Sequence, residues 1–388
     1  MQQKKQIKWT LTAAMFATSL ALPSISQSCT SLVYKDIHGA PYAERTMELP
    51  MELPYKVAFF PQGSHFASKA EKHPTLNFEA KHSFLSITVP DPVSKDLKVT
   101  EGMNDQGLSF SVLAYASTEG PKDMVDKTHA ALAAIDLGTW VLSQFSSVDE
   151  VKAALSEQPV LVTALLPMGA LKTPFHYTIH DAQGHSLVIE FANGEQKVYD
   201  NPIGVMTNGP EFSWHLTNLN NYTFLNNVDQ SELELAGVQL RQPDSGIATA
   251  GLPSSNTSVG RFVRAVYYSQ YTEKAKTPDE AIHNLAHIMN NFDRPRGISI
   301  DHRFKGAAQD MVAPEVNQHP TYTTEYTSWT SLADLQRLQF SVRPHDSLNY
   351  VTFDLAMLKE TSEAKVLPLS EFANTSHDAN NILKLKSK

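Results

Sequence analysis

The sequence predicts an α+β fold in which two antiparallel sheets lie between layers of helices. Three features of the 388-residue chain predict it: strand-like segments come in groups, helix pairs separate the groups, and nothing marks a linker. There is no composition break, no low-complexity block and no internal repeat of domain size. With 41% hydrophobic residues the chain can bury a large core, so one domain is expected over residues 29–388, ending in a polar C-terminal tail.

Cys29 to Tyr34 and Lys56 to Phe60 read as strands. Between them, Met47-Glu48-Leu49-Pro50 and its repeat Met51-Glu52-Leu53-Pro54 read as irregular extended chain, because proline forbids helix or central strand. The turn Asn104-Asp105-Gln106-Gly107 leads into a strand reaching Tyr115. Ala130 to Phe145 has the wide apolar face of a helix, and Ser147 is placed to cap a second helix running to about Leu155. Pro174 to Asn208 reads as a meander with turns at Asp181-Ala182-Gln183-Gly184 and Asn193-Gly194, the latter a hairpin signal. Ser258 to Tyr271 and Pro278 to Phe292 carry apolar residues at three-to-four spacing and read as helices. Tyr322 to Ser331, Arg337 to Val342 and Asn349 to Leu355 close the chain as an antiparallel run.

The first residues read differently. Lys4, Lys5 and Lys8 form a basic start, Thr10 to Leu22 is mostly apolar, and Pro23 with small polar residues leads to Cys29. This is the layout of a secretory signal peptide over residues 1–28, with Ser26 and Ser28 at positions −3 and −1 of the cut. The apolar run is shorter than the roughly 20 residues a membrane helix needs, and no later segment resembles a span. An exported protein, periplasmic or secreted, is expected. A lipoprotein would also place cysteine after the cut, and a lipid-anchored or inactive binding protein of the same fold is the alternative reading. Ser26 and Gln27, however, stand where lipoprotein processing expects a Leu-like and then a small residue. Removing three lysines and no acid from a chain of formal charge −9 leaves −12, a poor match to nucleic acid or an anionic membrane surface.

The chain has one cysteine. It cannot form an internal disulfide, and a free thiol is a liability in an oxidising compartment. At the new N-terminus Cys29 has a different use. A thiol nucleophile needs a proton acceptor and donors for the oxyanion. A freed α-amine, with a reference pKa of about 7.7–8.0, supplies the acceptor from the same residue. No histidine is then required, and the fifteen histidines form no convincing partner motif.

Cys29-Thr30-Ser31, followed by Arg45 in Arg-Thr-Met-Glu, resembles the start of the choloylglycine hydrolase and penicillin V acylase family of N-terminal-nucleophile hydrolases. The resemblance continues through Glu101-Gly-Met-Asn-Asp-Gln-Gly-Leu108 and Ile203-Gly-Val-Met-Thr-Asn-Gly-Pro210 with Trp214. It recurs in Gly251-Leu-Pro, Gly260-Arg-Phe-Val-Arg264 and Thr324-Glu-Tyr-Thr-Ser328, in the family's order and with similar spacing. It implies a four-layer αββα sandwich and hydrolysis of a linear, non-peptide amide without cofactor or metal. It also implies a small-molecule substrate with a bulky apolar acyl group, such as a conjugated bile salt, penicillin V or an N-acyl homoserine lactone. The long stretch from Trp214 to Gly251 is similar to a region used for assembly in the family and implies a homo-oligomer, a tetramer or a dimer.

By the same resemblance Cys29 is the nucleophile, Arg45 places positive charge beside it, Asn208 donates its side-chain amide to the oxyanion, and Arg261 is a second arginine near the nucleophile. Two positions depart from the family pattern. Glu48 stands where aspartate is usual, so its carboxylate must be re-aimed. Ala114 stands where asparagine or tyrosine is usual, and keeps only its backbone N–H as an oxyanion donor, with Tyr115 expected on the opposite strand face. Met47, Phe59 and Phe60 are apolar candidates for the pocket, core being the favoured reading for the phenylalanines. His180, Asp181 and His185 bracket a turn and read as solvated residues rather than metal ligands. Ser362 and Lys365 match a bare Ser-x-x-Lys pattern by chance, in a polar tail without companion motifs.

Overall fold

In a computed structural model that describes residues 28–92, 94–121, 129–165, 171–302, 322–373, 380, 383 and 384, most strand segments assemble into two antiparallel sheets. The signal segment expected at the start falls, for residues 1–27, outside the described residues. In chain order the sheet strands are β1 (Ser28–Lys35), β2 (Pro41–Leu49), β3 (Lys56–Phe60), β4 (Phe84–Pro90), β5 (Leu97–Asn104), β6 (Ser109–Ala114) and β7 (Phe175–His180). They continue with β8 (Ser186–Ala192), β9 (Glu195–Asp200), β10 (Val205–Met206), β11 (Tyr326–Asp334), β12 (Gln339–Pro344), β13 (Val351–Asp354) and β14 (Lys365–Pro368). One sheet has the order β10-β1-β2-β11-β12-β13, the other β9-β8-β7-β6-β5-β4-β3-β14.

Helices α1 (Leu137–Gln144) and α2 (Val148–Glu157) pack on the eight-stranded sheet, through β5, β6 and β8. After α3 (Phe212–Asn218), α4 (Ser258–Tyr271) and α5 (Pro278–Met289) pack on β1, β2 and β11 of the six-stranded sheet. The result is the expected α+β sandwich of four layers. Side-chain hydroxyls start the helices as the sequence indicates: Ser147 accepts from Glu150 N–H, Thr257 from Gly260 and Thr277 from Glu280. Asn193 and Gly194 both have positive φ, as the tight hairpin between β8 and β9 requires. Gly107, at φ +74°, is irreplaceable for another reason: a Cβ there would lie 2.1 Å from the Leu335 carbonyl oxygen at the end of β11.

Several elements differ from the sequence reading. Met47 to Leu49 are not irregular but complete β2, a central strand, and Pro50 ends it. The helix expected from Ala130 starts at Leu137 after a short 3-10 turn, because Leu132 and Ala133 pair in parallel with Val160 and Leu161. His180 and Asp181 are buried, not solvated. Asp181 accepts from the N–H groups of Gln183, His185 and Val148, so it folds its own turn and also ties the start of α2. The segment read as a polar tail contributes β14 to a sheet edge and buries Leu367, Leu369, Phe372 and Leu383.

Alternation along β2 divides its side chains between two environments. Arg45 and Met47 face the eight-stranded sheet, whereas Glu44, Thr46 and Glu48 face the α4–α5 layer. β5 and β6 pair as far as Glu101 with Ser111, and Arg45 takes the next rung. Its Nη1 donates to the Thr100 carbonyl at 3.0 Å and its Nη2 to the Val112 carbonyl. A guanidinium from one sheet thus closes the opening between two strands of the other. The charge is fully buried, 3.7 Å from the Glu101 carboxylate and 4.9 Å over the Trp329 ring. On the opposite face Glu44 lies between Leu32 and Leu332 in register, and neither carboxylate oxygen has a hydrogen-bond partner among the described residues. Burial alone pushes its pKa well above the usual carboxylate range.

Two stability predictions follow from these placements. Arg45→Met leaves two strand carbonyls and a buried carboxylate unpaired and should lower unfolding free energy by about 3–5 kcal/mol. Urea denaturation measures it, and a loss below about 1 kcal/mol would contradict the bridging role. For Glu44, the folded state holds a proton that the unfolded state releases, so stability falls as pH rises through the window above the ordinary carboxylate value. Glu44→Met should therefore raise the melting temperature at about pH 8, by the equivalent of at least about 1 kcal/mol, with the gain shrinking toward about pH 4.5. A gain independent of pH would rule out the buried acid as its source.

Candidate active site

The sheet alternation that buries Arg45 also builds the site. Cys29 pairs with Met47 across β1 and β2, two residues along from the pair Ser31–Arg45, so Cys29, Arg45 and Met47 share the inter-sheet face. Cys29 is 2% exposed. Arg45 Nη2 lies 3.4 Å from Cys29 Sγ and 3.4 Å from Met47 Sδ, and the two sulfurs are 3.9 Å apart.

Asn208 and Arg261 arrive from outside the strands. Asn208 follows β10, and its side-chain Oδ1 accepts from Cys29 N at 2.7 Å and from Arg261 Nη2 at 2.7 Å. With Oδ1 fixed as acceptor, Nδ2 is the donor end, and it donates to the Ala114 carbonyl at 2.8 Å. Arg261 stands in the first turn of α4, where Thr257 caps the helix. Its Nη1 donates to the Cys29 carbonyl and to Thr30 Oγ1, and its Nε to the Asn256 carbonyl. Burial draws the Arg261 pKa below the ordinary arginine value, while Glu48 and Cys29 pull it back up. The expected cluster of Cys29, Arg45, Asn208 and Arg261 is thus a single hydrogen-bonded unit.

Ala114 joins that unit through its carbonyl, an acceptor. In an extended strand the N–H of the same residue projects to the same edge, which places a backbone donor beside Asn208. Tyr115 is buried and lies flat against His176, with ring centroids 5.1 Å apart.

Glu48 is fully buried and in register with Ser28. The pairing of β2 with β11 shifts register beside it, with Ser328 the extra residue on β11 between the partners of Met47 and Glu48, and Glu48 Oε1 accepts from Thr327 Oγ1 at 3.3 Å. Burial raises its pKa to about 7, against the pull of Arg261, the Thr46 hydroxyl and Arg294. Ser28 itself donates to Glu325 Oε2 at 2.9 Å, and the same oxygen accepts from Arg294 Nη1 at 2.6 Å. The Arg294–Glu325 pair is an addition to the sequence reading. Glu325 was visible inside Thr324-Glu-Tyr-Thr-Ser328; Arg294 lies in no motif.

The two phenylalanines separate. Phe59 is buried in the inter-sheet cluster that includes Cys29 and Met47. Phe60, one residue on, points through the sheet to the other side and packs with Phe66 and Phe84 in the α1–α2 core. Period-two alternation removes Phe60 from the pocket candidates. Two histidines unremarked in the sequence stand behind Asn208. His176 Nε2 lies 2.8 Å from the Thr207 carbonyl and His215 Nε2 2.8 Å from the Asn208 carbonyl. Among the described residues, no group of three or more His, Cys, Asp or Glu is arranged to hold a metal.

The chain and its αββα sandwich have counterparts among known proteins. Residues 29–365 match the family described as linear amide C–N hydrolases, choloylglycine hydrolase family. The bile salt hydrolase/transferase of Lactiplantibacillus plantarum is 27% identical over 351 residues, covering 88% of this chain and 97% of that protein. The penicillin V acylase of Pectobacterium atrosepticum is 28% identical over 271 residues, covering 69% and 66% respectively. The fold of a conjugated bile acid hydrolase variant from Clostridium perfringens superposes with a TM-score of 0.73 at 23% identity, covering 90% of this chain and 99% of that one. The chain is a member of the choloylglycine hydrolase family, a hydrolase of linear amide carbon–nitrogen bonds.

Proposed function

We propose that the protein is an exported N-terminal-nucleophile hydrolase whose mature chain begins at Cys29 and cleaves an N-acyl amide by acyl transfer. One observation carries this reading: the only cysteine has a guanidinium 3.4 Å from its sulfur and a carboxamide oxygen 2.7 Å from its nitrogen. Released from Ser28, that nitrogen is an amine. It takes the thiol proton as Sγ attacks the substrate carbonyl. The oxyanion accepts from the second hydrogen of Asn208 Nδ2 and from the Ala114 N–H. The α-ammonium then protonates the leaving amine, and water, deprotonated by the same amine, hydrolyses the thioester. Arg45 supplies positive charge at the sulfur, and Arg261 holds Asn208 Oδ1 and the Cys29 carbonyl in place. Glu48, one strand away, balances the charge of the new ammonium. No step needs a metal or cofactor.

The substrate reading is an amide with a bulky apolar acyl group: a conjugated bile salt, penicillin V or an N-acyl homoserine lactone. The names of the relatives support the first two. Met47 and Phe59 belong to the apolar surroundings of the thiol and are the side chains proposed to meet the acyl group. Export to the periplasm or medium rests on the N-terminal pattern of residues 1–28. A homo-oligomer, a tetramer or a dimer, is supported by the hairpin of residues 232–241, which exposes Leu233, Leu235, Val238 and Leu240. No helix among the described residues is long and apolar enough to cross a membrane.

Mass spectrometry of the exported protein should find an unmodified N-terminal Cys29. A diacylglyceryl group on its sulfur, or a different first residue, would overturn the mechanism. On a panel of glycocholate, taurocholate, penicillin V and acyl homoserine lactones, at least one amide should be turned over, with Cys29→Ser lowering kcat by at least about 10³-fold. Equal turnover by parent and variant would remove Cys29 from the chemistry.

A further inference from the structure

Asn208 belongs to neither sheet nor helix. It sits in the connection between β10 and α3, the kind of segment whose backbone is ordinarily left to solvent and motion. Here three backbone polar groups of that connection end on side chains. Asn208 N–H donates to Ser258 Oγ at 2.9 Å, and the Asn208 carbonyl accepts from His215 Nε2 at 2.8 Å. The preceding carbonyl, of Thr207, accepts from His176 Nε2 at 2.8 Å. The other nitrogen of His176 faces Glu190 Oε1 at 3.1 Å, and that oxygen also accepts from Phe212 N–H, at the first residue of α3. The Glu190–His176 pair therefore ties both ends of the 207–212 connection. His176, Glu190 and His215 are all fully buried.

The rings do a second thing. His176 is stacked on Tyr115, the residue after Ala114, with 4° between the planes. His215 is stacked on Phe262, the residue after Arg261, with centroids 4.5 Å apart. Each imidazole bonds to the 207–208 backbone at its edge and lies flat on the neighbour of another site residue. Three segments from distant parts of the chain, 114–115, 207–208 and 261–262, are thereby brought into fixed register. A hydroxyl could satisfy either carbonyl; only a flat ring also sets spacing to an adjoining segment.

We propose that His176, with Glu190, and His215 are positioning residues that hold the Asn208 carboxamide where the oxyanion forms. This rests on the reading of Asn208 as oxyanion donor. A hydrogen-bond donor lowers a barrier to the extent that it is already in place, and a displacement of about 1 Å is enough to lose on the order of 100-fold in rate. His215 is suited to the task at neutral pH: burial lowers its pKa to about 4, so it is uncharged and presents one N–H to the carbonyl.

The test uses the mature enzyme with glycocholate and penicillin V. His215→Phe keeps the stack and removes the donor. It should lower kcat about 10- to 100-fold with KM within about 2-fold, and His215→Gln, which restores an N–H, should recover most of the loss. Glu190→Gln, nearly isosteric, is the companion variant should His176 replacements fail to fold; it should lower kcat in the same direction. In an Asn208→Ala background His215→Phe should have almost no further effect, because its action passes through Asn208. Parent-like kcat in His215→Phe, no recovery with Gln, or losses that multiply in the double variant would each overturn the proposal. Parent-like activity of Asn208→Ala alone would instead overturn the oxyanion assignment beneath it.

Discussion

A positive charge that cannot leave the protein interior organises this molecule. The Arg45 guanidinium sits between two sheets with no access to water, and an unpaired charge there would cost many kcal/mol. Its partners come from both sides: two carbonyls of the opposite sheet, the Glu101 carboxylate, the Trp329 face and the Cys29 sulfur. To accept it, β5 and β6 must part at Thr100 and Val112. Two residues further along, at Ala114, the freed strand edge meets Asn208. One side chain thereby holds the sheets in register, sets charge against the thiol and opens the strand edge that meets Asn208.

The other ionised groups obey the same rule of paired burial. Arg294 is matched by Glu325 at 2.6 Å, and Arg261 is held by Glu48 electrostatically and by Asn208, Thr30 and Cys29 through hydrogen bonds. Buried charge of both signs around one sulfur gives a site whose dipoles are fixed before substrate arrives, which is the condition for oxyanion stabilisation. Glu44 is the exception: among the described residues neither of its carboxylate oxygens has a hydrogen-bond partner, and burial pushes its pKa well above the usual carboxylate range.

What the sequence made legible was what local physics determines. The α4 helix was readable to its ends because Thr257 caps it and its apolar residues repeat at helical spacing, and β3 matched to the residue. The family motifs pointed to Cys29, Arg45, Asn208 and Arg261, and the structure brings these four side chains together. What was hidden depended on partners far along the chain. Met47 to Leu49 form a central strand because β1 and β11 flank them, which a proline-bounded segment does not announce. Phe60 and Phe59 differ in destination by one step of a pleat. His176 and His215 carry no spacing signal, since their partners are backbone carbonyls. Asp181 looked like a turn residue and is one, yet it is buried because α2 starts on it.

The peptide bond between Ser28 and Cys29 lies inside β1, with Ser28 opposite Glu48 and its hydroxyl on Glu325. A processing enzyme holds its target as a free extended stretch in its own cleft, and a strand already laddered into a sheet offers none. A cut at this bond would therefore have to come before the strand docks, while the polypeptide is still open. A copy that folds uncut is sealed: its Cys29 nitrogen is an amide already committed to Asn208, unable to take up a proton. On the proposed mechanism, maturation would be a race between trimming and closure, and the order in which they finish would decide which copies become competent.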